Sequence, residues 1–298
     1  MALAQWRKEM TYVTRETPSI VLNLKRILII FLSGLFAKSY YITQLSRRIV
    51  QVYDNDQNGI FKENGELKLL THITKISNSE SVFIDVGANI GDYSVELIKA
   101  GITGKLILVD PLNKNLSVAN QKILNLNFNN YNLIQCALSN STGKQIFYSN
   151  LDNNLSGTDS LFDMSSIGYS AKTEKTEVQV KKLDDILSKS KIEKIHFLKI
   201  DVEGNELNVL KGAEGYLTRG VISFIQFEFG NAAKAARIYL HDIVFFLESK
   251  QYKIFIVKPK GLLPLDFTPF TEMRYSYINL LAVHKNSMSG ISDIIITR

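Results

Sequence analysis

Residues 81–91 read SVFIDVGANIG and decide the fold. A short apolar run that closes on a glycine-rich turn predicts a buried strand followed by a tight turn. The turn opens into a predicted helix over Asp92–Ala100, and Lys105–Val109 predicts a second strand. The segment is therefore predicted to form a β-α-β unit whose glycines let a ligand approach the backbone closely.

The glycine spacing separates two cofactor classes that use this geometry. A dinucleotide fingerprint starting at Gly87 would need glycine at positions 89 and 92, where the chain has Asn89 and Asp92. A carboxylate directly before the turn, here Asp85, suits an amino-acid moiety instead. Asp110 ends the second strand, where an acidic side chain can accept hydrogen bonds from ribose hydroxyls. S-Adenosylmethionine carries both groups and is the predicted cofactor.

The alternation of strands and helices continues downstream and predicts an α/β class. We expect a doubly wound, mostly parallel, seven-stranded Rossmann-like sheet with an antiparallel closing strand, preceded by an N-terminal helical arm. The further predicted helices are Asn113–Leu126, Leu183–Ser190, Asn205–Tyr216 and Ile238–Lys250. The further predicted strands are Tyr131–Ala137, Gln145–Tyr148, Thr176–Lys182, Ile195–Ile200, Val221–Phe227, Tyr252–Val257 and Tyr277–Val283, of which the last two form the antiparallel pair. The polar loop Ser149–Lys175 is long enough to be a binding element, with Ser156 and Ser160 as candidate substrate-binding residues.

The composition fits a folded protein of 298 residues, with 45% hydrophobic and 21% charged residues. It excludes collagen-like, low-complexity and disordered chains. The single cysteine, Cys136, permits no internal disulfide, and no Cys/His spacing resembles a zinc site, so we expect a reducing compartment. The predicted domains are a basic arm over 1–52, a cofactor-binding domain over 53–285 and a C-terminal tail over 286–298.

The net charge of +6 lies in the arm. Residues 1–52 hold eight basic and two acidic side chains, whereas residues 53–298 hold 27 of each. The uncharged segment Ile27–Ala37 has eleven residues, too few to span a bilayer as a helix, and predicts an interfacial or packing helix. We expect the arm to contact an anionic membrane surface, to pack on the body, or to form a homodimer. The neutral body offers no basic stripe, so no nucleic-acid partner is expected.

Four segments carry a resemblance to a known family. They are Asn64-Gly65-Glu66, residues 83–94 (FIDVGANIGDYS), Ala137-Leu138-Ser139-Asn140, and residues 198–206 (LKIDVEGNE) with Leu210-Lys211-Gly212-Ala213. In this order they resemble the FkbM family of class I S-adenosylmethionine-dependent methyltransferases over about residues 60–285. Asp110-Pro111 departs from the usual Glu-Pro of the family but keeps the carboxylate.

The resemblance implies transfer of a methyl group to a hydroxyl, either of a sugar in a surface glycan or its lipid-linked precursor, or of a secondary metabolite. Such an enzyme would be cytoplasmic, and the arm would place it on the inner face of the membrane. Strand ends and matching motif positions together give the predicted cofactor-binding set: Glu66, Asp85, Gly87, Ala88, Asn89, Gly91, Tyr93, Ser94, Asp110, Pro111, Leu112, Cys136, Ala137, Leu138 and Asp201.

Three residues are candidates for catalysis: Asp201, Glu228 and His241. Glu203 and Glu228 are candidates for substrate binding, because they follow strands whose ends share one edge of the sheet. Asp201 and Glu228 could bind a divalent cation or act as a base, although we expect no metal. Lys199 alternates onto the face of Asp201, so a structural ion pair is the competing explanation for that carboxylate.

Three other functions remain open at this stage. A nucleic-acid methyltransferase is disfavoured because the chain has Val202-Glu203-Gly204 where enzymes that methylate base amino groups place a Pro-Pro-aromatic turn. A membrane-associated scaffold that binds the cofactor without catalysis is consistent with the arm. A nicotinamide oxidoreductase is disfavoured by the glycine spacing.

Overall fold

The computed structural model describes residues 27–28, 31–32, 39–56, 58–151, 158–168, 173–265 and 277–297. The chain divides into two units, Met1–Asp54 and Asn55–Arg298. In the first unit the helix Tyr40–Asp54 is described, and the described residues of the predicted segment Ile27–Ala37 are helical, whereas its other residues lie outside the described ones. None of the helices described here is long and apolar enough to cross a bilayer.

The second unit alternates strands with helices as predicted. The strands are β1 Val82–Val86, β2 Lys105–Asp110, β3 Tyr131–Gln135, β4 Ala137–Leu138, β5 Gly143–Asn150, β6 Thr173–Lys181, β7 Ile195–Ile200, β8 Ile222–Phe229, β9 Tyr252–Lys258, β10 Gly261–Pro264 and β11 Ile278–His284. The α-helices are Glu66–Lys75, Asp92–Lys99, Asn113–Leu124, Leu183–Lys189, Glu206–Lys211, Glu214–Thr218, Ala232–Ala236 and Leu240–Ser249. Two 3-10 segments cover Met164–Ile167 and Lys285–Ile294.

Within the described residues, the large sheet has eight strands in the order β10-β9-β11-β8-β7-β1-β2-β3. The five strands from β8 to β3 run parallel, and β11 is antiparallel to both of its neighbours. The predicted mostly parallel α/β sheet and its antiparallel closing pair are therefore confirmed. The hairpin partner Gly261–Pro264 adds an edge strand that the sequence pattern did not predict.

Apolar side chains cover both faces of the large sheet. On β1, Ile84 and Val86 belong to one buried cluster, whereas Phe83 belongs to the cluster on the other face. On β7, Leu198 and Phe197 divide in the same way. Parallel strands with helices on both faces need such continuous apolar runs, which explains why the strands could be predicted from hydrophobicity. The polar residues at the ends of these strands are then left at one edge of the sheet.

The prediction of a single strand over Tyr131–Ala137 is wrong, because the chain changes sheets at Cys136. β3 ends at Gln135, and Ala137–Leu138 pairs instead with β6. Together with β5 these two strands form a second sheet, here called the insert sheet, in the order β4-β6-β5. The strands predicted over Gln145–Tyr148 and Thr176–Lys182 thus exist but lie outside the large sheet.

The helix predicted over Asn205–Tyr216 is two helices, broken after Lys211. The backbone at Gly212 packs so closely on the carbonyl of Ser139 that a Cβ there would overlap it. Asp184 then caps the second helix by accepting hydrogen bonds from the N–H groups of Gly215 and Tyr216, at 2.7 and 3.2 Å. A capping side chain from a distant element is invisible in local sequence, which is why the break was missed.

Candidate active site

The turn after β1 is built on left-handed backbone conformations. Gly87, Asn89 and Gly91 have φ values of 78°, 47° and 80°. Glycine is required at position 87, because a Cβ would overlap the main-chain carbonyl oxygen of Asp201. At Gly91 a Cβ would lie 2.7 Å from the Cβ of Ala119. The turn therefore passes close to the end of β7 on one side and to a helix on the other.

Asp110 holds this turn in place. Its carboxylate accepts hydrogen bonds from the N–H groups of Asn89 and Leu112, both at 2.9 Å, and from the side-chain amide of Asn115 at 3.2 Å. Burial raises the pKa of Asp110, and the hydrogen bonds from Leu112 and Asn89 oppose that rise. The carboxylate at the end of β2 thus orders the glycine turn as well as facing the cleft beside it.

A first cleft, with an empty volume of about 780 Å³, lies along the carboxyl ends of the parallel strands. It brings together most of the predicted cofactor-binding residues: Gly87, Asn89, Asp110, Pro111, Cys136, Ala137, Leu138 and Asp201. It also contains Glu203, which was predicted to bind substrate. Three residues from the insert sheet and its loop were missed by the sequence analysis: Phe147, Asp159 and Leu161.

Other residues of the predicted cofactor-binding set are buried and do not line the first cleft. Asp85 is 1% exposed and accepts a 2.7 Å hydrogen bond from the hydroxyl of Ser94. Burial raises the pKa of Asp85 to about 6, with the hydrogen bond from Ser94 and the charge of Lys199 acting against it. Ala88 and Leu112 are buried. These side chains pack inside the protein and hold the glycine turn, so a ligand would contact the main chain of the turn and not these side chains.

Three carboxylates meet at the ends of β7 and β8. Oxygen atoms of Asp201, Glu203 and Glu228 lie within 4.8 Å of one another. Burial raises the pKa of both Glu203 and Glu228 well above the usual range, and the neighbouring charge of Asp201 adds to that rise. Such a group can accept a proton from a nearby donor. The three are called the carboxylate group below.

The predicted ion pair between Lys199 and Asp201 is present. The Lys199 ammonium lies 3.3 Å from the carboxylate, and its side chain is 3% exposed. Burial alone would lower the pKa of Lys199, but Asp201, Glu66 and Glu228 outweigh burial and raise it. Carboxylate oxygens are ligands that a hard cation prefers, so the carboxylate group could hold one. The ammonium already supplies the compensating positive charge, which fits poorly with a bound cation beside it.

A second cleft, with an empty volume of about 1020 Å³, adjoins the first because Asp201 contributes to the walls of both. Glu66, Tyr93 and Glu228 also line it, although the sequence pattern placed Glu66 and Tyr93 with the cofactor. Tyr277 completes the wall next to Glu228.

One buried amide organises the wall of the second cleft. Gln226 is fully buried, accepts a 2.6 Å hydrogen bond from the hydroxyl of Tyr93 and donates one of 2.6 Å to Glu66. Asn64 donates a second hydrogen bond to Glu66, also at 2.6 Å. Gln226 was missed because it lies inside an apolar strand whose pattern indicates only a core role.

The remaining predicted site residues either lie away from the two clefts or form hydrogen bonds to the main chain. His241 stacks on Phe245 at 5.8 Å between ring centroids, and it is not among the described residues that line either cleft. Ser160 is fully buried, and its hydroxyl donates a 2.6 Å hydrogen bond to the carbonyl of Glu203. Ser156 lies outside the described residues.

Comparisons with a family model and with a curated relative both identify methyltransferases. The model of the methyltransferase FkbM domain matches residues 85–254. Methyltransferase sdnD of Sordaria araneosa is 28% identical over 168 residues, which are 48% of this chain and 65% of that relative. The match thus spans less than two thirds of the relative's length.

The solved structures that match this chain are more distant in sequence. An rRNA methylase from Streptococcus thermophilus is 12% identical, with 73% of this chain and 94% of that chain covered and a TM-score of 0.37. A TehB-like SAM-dependent methyltransferase from Corynebacterium glutamicum is 10% identical, with coverages of 82% and 97% and a TM-score of 0.39.

Proposed function

Because the chain belongs to the methyltransferase FkbM domain family and its donor is S-adenosylmethionine, we propose that it methylates a hydroxyl oxygen, that of a sugar in a surface glycan or its lipid-linked precursor. The first cleft suits the donor, because its lining joins the glycine turn to the Asp110 carboxylate at the carboxyl ends of the parallel strands. Asp110 would hold the ribose and the turn amides would face the amino-acid end. The donor supplies an electrophilic methyl group on a sulfonium.

The carboxylate group is the observation that carries the choice of oxygen as acceptor. A hydroxyl oxygen attacks the methyl carbon well only as its proton leaves, so a base must lie beside the donor. Glu228, whose raised pKa makes it a stronger base than an exposed carboxylate, has an oxygen within 4.8 Å of one of Asp201, and Asp201 lines the first cleft. The O–C bond forms as the C–S bond breaks, its electron pair stays on sulfur as S-adenosylhomocysteine, and the hydroxyl proton passes to the carboxylate.

Methyl transfer from labelled donor tests this proposal. The purified full chain is incubated with S-adenosylmethionine carrying a labelled methyl group and with polysaccharide, lipid and nucleic-acid fractions of its source cells. We expect label in the carbohydrate-containing fractions as an alkali-stable ether. Label that alkali releases would indicate an ester and overturn O-methylation of a hydroxyl, and label in nucleic acid would overturn the acceptor class.

Variants separate catalysis from mere donor binding. Glu228→Gln should lower the rate of transfer about 100-fold or more while S-adenosylhomocysteine binding, measured by calorimetry, stays unchanged. Glu193→Gln, which changes an exposed carboxylate, is the matched control and should keep the wild-type rate. A wild-type chain that binds S-adenosylhomocysteine but labels no fraction would favour a scaffold over an enzyme.

The arm supports a membrane-linked acceptor. Along the helix Tyr40–Asp54, an apolar stripe at helical spacing includes Tyr41, Leu45, Ile49 and Val52, which are 83%, 61%, 61% and 82% exposed. Basic residues outnumber acidic ones by eight to two over residues 1–52. An exposed apolar stripe on a basic segment suits the surface of an anionic bilayer, and we propose that the arm rests on the inner face of such a membrane.

Co-sedimentation with vesicles tests the arm. The full chain should pellet with vesicles containing phosphatidylglycerol and remain in the supernatant with pure phosphatidylcholine. The double variant Leu45→Gln with Ile49→Gln should abolish pelleting, whereas Phe245→Gln, an exposed apolar residue elsewhere, should not. Dimer formation that disappears in the same double variant, without vesicle binding by the wild type, would show that a second copy covers the stripe instead.

A further inference from the structure

The second cleft combines aromatic rings with carboxylates. Phe61, Tyr93 and Tyr277 contribute rings to its lining, and Glu66, Asp201 and Glu228 contribute carboxylates. A sugar ring has apolar C–H faces, which pack on aromatic rings, and hydroxyl groups, which donate hydrogen bonds to carboxylates. The two kinds of surface that such a ring needs therefore meet in one cleft.

Most polar groups of this wall already have partners in the protein. Glu66 accepts from Asn64 and Gln226, and Asp201 pairs with Lys199. Glu228 differs, because no hydrogen bond or ion pair to it is found within the described ranges. It is the carboxylate of the cleft that a ligand hydroxyl can meet without displacing a protein partner.

Glu228 and Tyr277 form one corner of the second cleft. Measured from the point where a Cβ at Gly230 would lie, an oxygen of Glu228 and the Cδ2 atom of Tyr277 are each 3.8 Å away. A ligand ring packed on Tyr277 would thus have a hydroxyl within reach of Glu228.

Asp201, which lines both clefts, indicates where the methyl group of the donor and the hydroxyl of the acceptor would lie side by side. Asp201 lines both clefts, and Glu228 lies within the carboxylate group that includes it. An in-line transfer needs the hydroxyl and the methyl group side by side, and alignment supplies much of the catalysis. With the donor in the first cleft, the acceptor hydroxyl belongs at the Glu228 side of Asp201.

The charges of the second cleft select among sugars. Acidic side chains outnumber lysines in its lining by five to three: Glu66, Asp92, Glu96, Asp201 and Glu228 against Lys62, Lys99 and Lys199. The Lys199 ammonium is already paired with Asp201. The Lys99 ammonium at the rim lies 2.7 Å from Glu96. A uronate carboxylate placed in this cleft would lie close to Glu66 and Asp201, and like charges in a partly buried site repel strongly. The cleft is therefore built for an uncharged ring.

We propose that the second cleft binds the acceptor as an uncharged sugar ring, packed on Tyr277 with its reacting hydroxyl hydrogen-bonded to Glu228. This inference rests on the proposed function, because it assumes a hydroxyl acceptor. It adds the site, the positioning aromatic residue and the charge class of the acceptor. Tyr277 is a positioning residue, whereas Glu228 contacts the reacting group.

Saturation-transfer NMR on the full chain with S-adenosylhomocysteine bound tests the site directly. The probes are the methyl α-glycosides of mannose and 6-deoxymannose and, as the anionic comparison, methyl glucuronide. We expect transfer to the neutral glycosides and about tenfold weaker binding, or none, for the glucuronide. Tyr277→Ala should weaken neutral-glycoside binding about tenfold, and Tyr277→Phe should retain it.

Controls make each failure distinct. Phe245→Ala removes an exposed ring outside the clefts and should leave glycoside binding unchanged. All variants must bind S-adenosylhomocysteine as the wild type does, which shows that they are folded. Unchanged glycoside binding in Tyr277→Ala would overturn the assigned site, and tighter binding of the glucuronide would overturn the charge class. A wild type that binds S-adenosylhomocysteine but none of the sugars would overturn the sugar acceptor itself, and one that binds neither would contradict the donor site.

Discussion

The hydroxyl of Ser160 donates a 2.6 Å hydrogen bond to the main-chain carbonyl of Glu203, although Ser160 follows a strand of the insert sheet and Glu203 follows a strand of the large sheet. Ser160 lies on the loop that follows β5, and Glu203 follows β7 in a left-handed conformation with φ of 51°. The same hydroxyl accepts a hydrogen bond from the N–H of Phe162 at 3.0 Å. One buried side chain therefore connects the segment that contributes Asp159 and Leu161 to the first cleft with the main chain of the carboxylate group.

Ser160→Ala is expected to weaken binding of S-adenosylhomocysteine by a factor on the order of three to ten. The substitution leaves a carbonyl and an N–H without their partner, which costs about 1–3 kcal/mol. Asp159 and Leu161 flank Ser160 and line the first cleft, so a less firmly held segment weakens the contacts that the cleft offers. Calorimetry measures the change. Ser165→Ala, at an exposed position of the same loop, is the control, and equal affinities for the two variants would contradict a role for the Ser160 contact.

Gly87→Ala is expected to destabilise the protein much more than Gly168→Ala. Both glycines have nearly the same φ, 78° and 75°, so the cost of forcing alanine into a left-handed conformation, about 1–2 kcal/mol, is common to both. At Gly168 a Cβ meets nothing within 4 Å, whereas at Gly87 it overlaps the carbonyl oxygen of Asp201. Urea denaturation should show at least about 2 kcal/mol of additional loss for Gly87→Ala. Similar losses for the two variants would mean that the turn has room to move away from β7.

Asp110→Asn is expected to weaken S-adenosylhomocysteine binding about 10- to 100-fold. Each carboxylate oxygen accepts a main-chain N–H, from Asn89 and Leu112, and an asparagine must present an NH₂ group to one of them. Losing a hydrogen bond to a charged group costs about 1.5–3 kcal/mol, and the turn that shapes the first cleft loses an anchor. Calorimetry gives the affinity, with Asp293→Asn at an exposed site as control. Wild-type affinity in Asp110→Asn would remove Asp110 from the donor site.

The strands and the donor side of the site could be predicted because they depend on local pattern. β1 and β7 are continuous apolar runs, and their last residues lie at one edge of a parallel sheet whatever the details of packing. The same logic placed Gly87, Asp110 and Asp201 together. His241 was chosen only because its helix follows Glu228, and the structure shows that its ring faces Phe245 instead.

The second cleft could not be predicted, because it depends on contacts between residues far apart in the chain. Gln226 and Glu66 are 160 positions apart, and only the folded sheet brings them to 2.6 Å. Likewise, Asp159 reaches the first cleft because the chain leaves the large sheet at Cys136, and no local signal marks that change. Tertiary contacts decide such positions, so they emerge only when strand order is known.

Glu206 is a buried carboxylate that holds the loop after β7. It is 4% exposed, and one of its oxygens accepts the N–H groups of Val202 and Gly204, both at 3.2 Å. Burial raises its pKa from the ordinary 4.5 to about 7, while these hydrogen bonds oppose the rise and the charge of Asp201 adds to it. In the folded protein this group therefore keeps its proton at pH values where the unfolded chain has lost it.

Glu206→Gln is expected to remove a pH-dependent part of the stability. Between about pH 4.5 and 7 the folded state binds more protons at this site than the unfolded state, so the free energy of unfolding falls as pH rises. The contribution is complete below pH 4.5 and lost as pH rises through 7, a change on the order of 3 kcal/mol. Urea denaturation at several pH values should show the wild type losing stability relative to Glu206→Gln over this window. Glu177→Gln changes an exposed carboxylate and should show no such difference from the wild type. If instead the wild type gains stability relative to Glu206→Gln as pH rises, Glu206 is ionised in the folded protein.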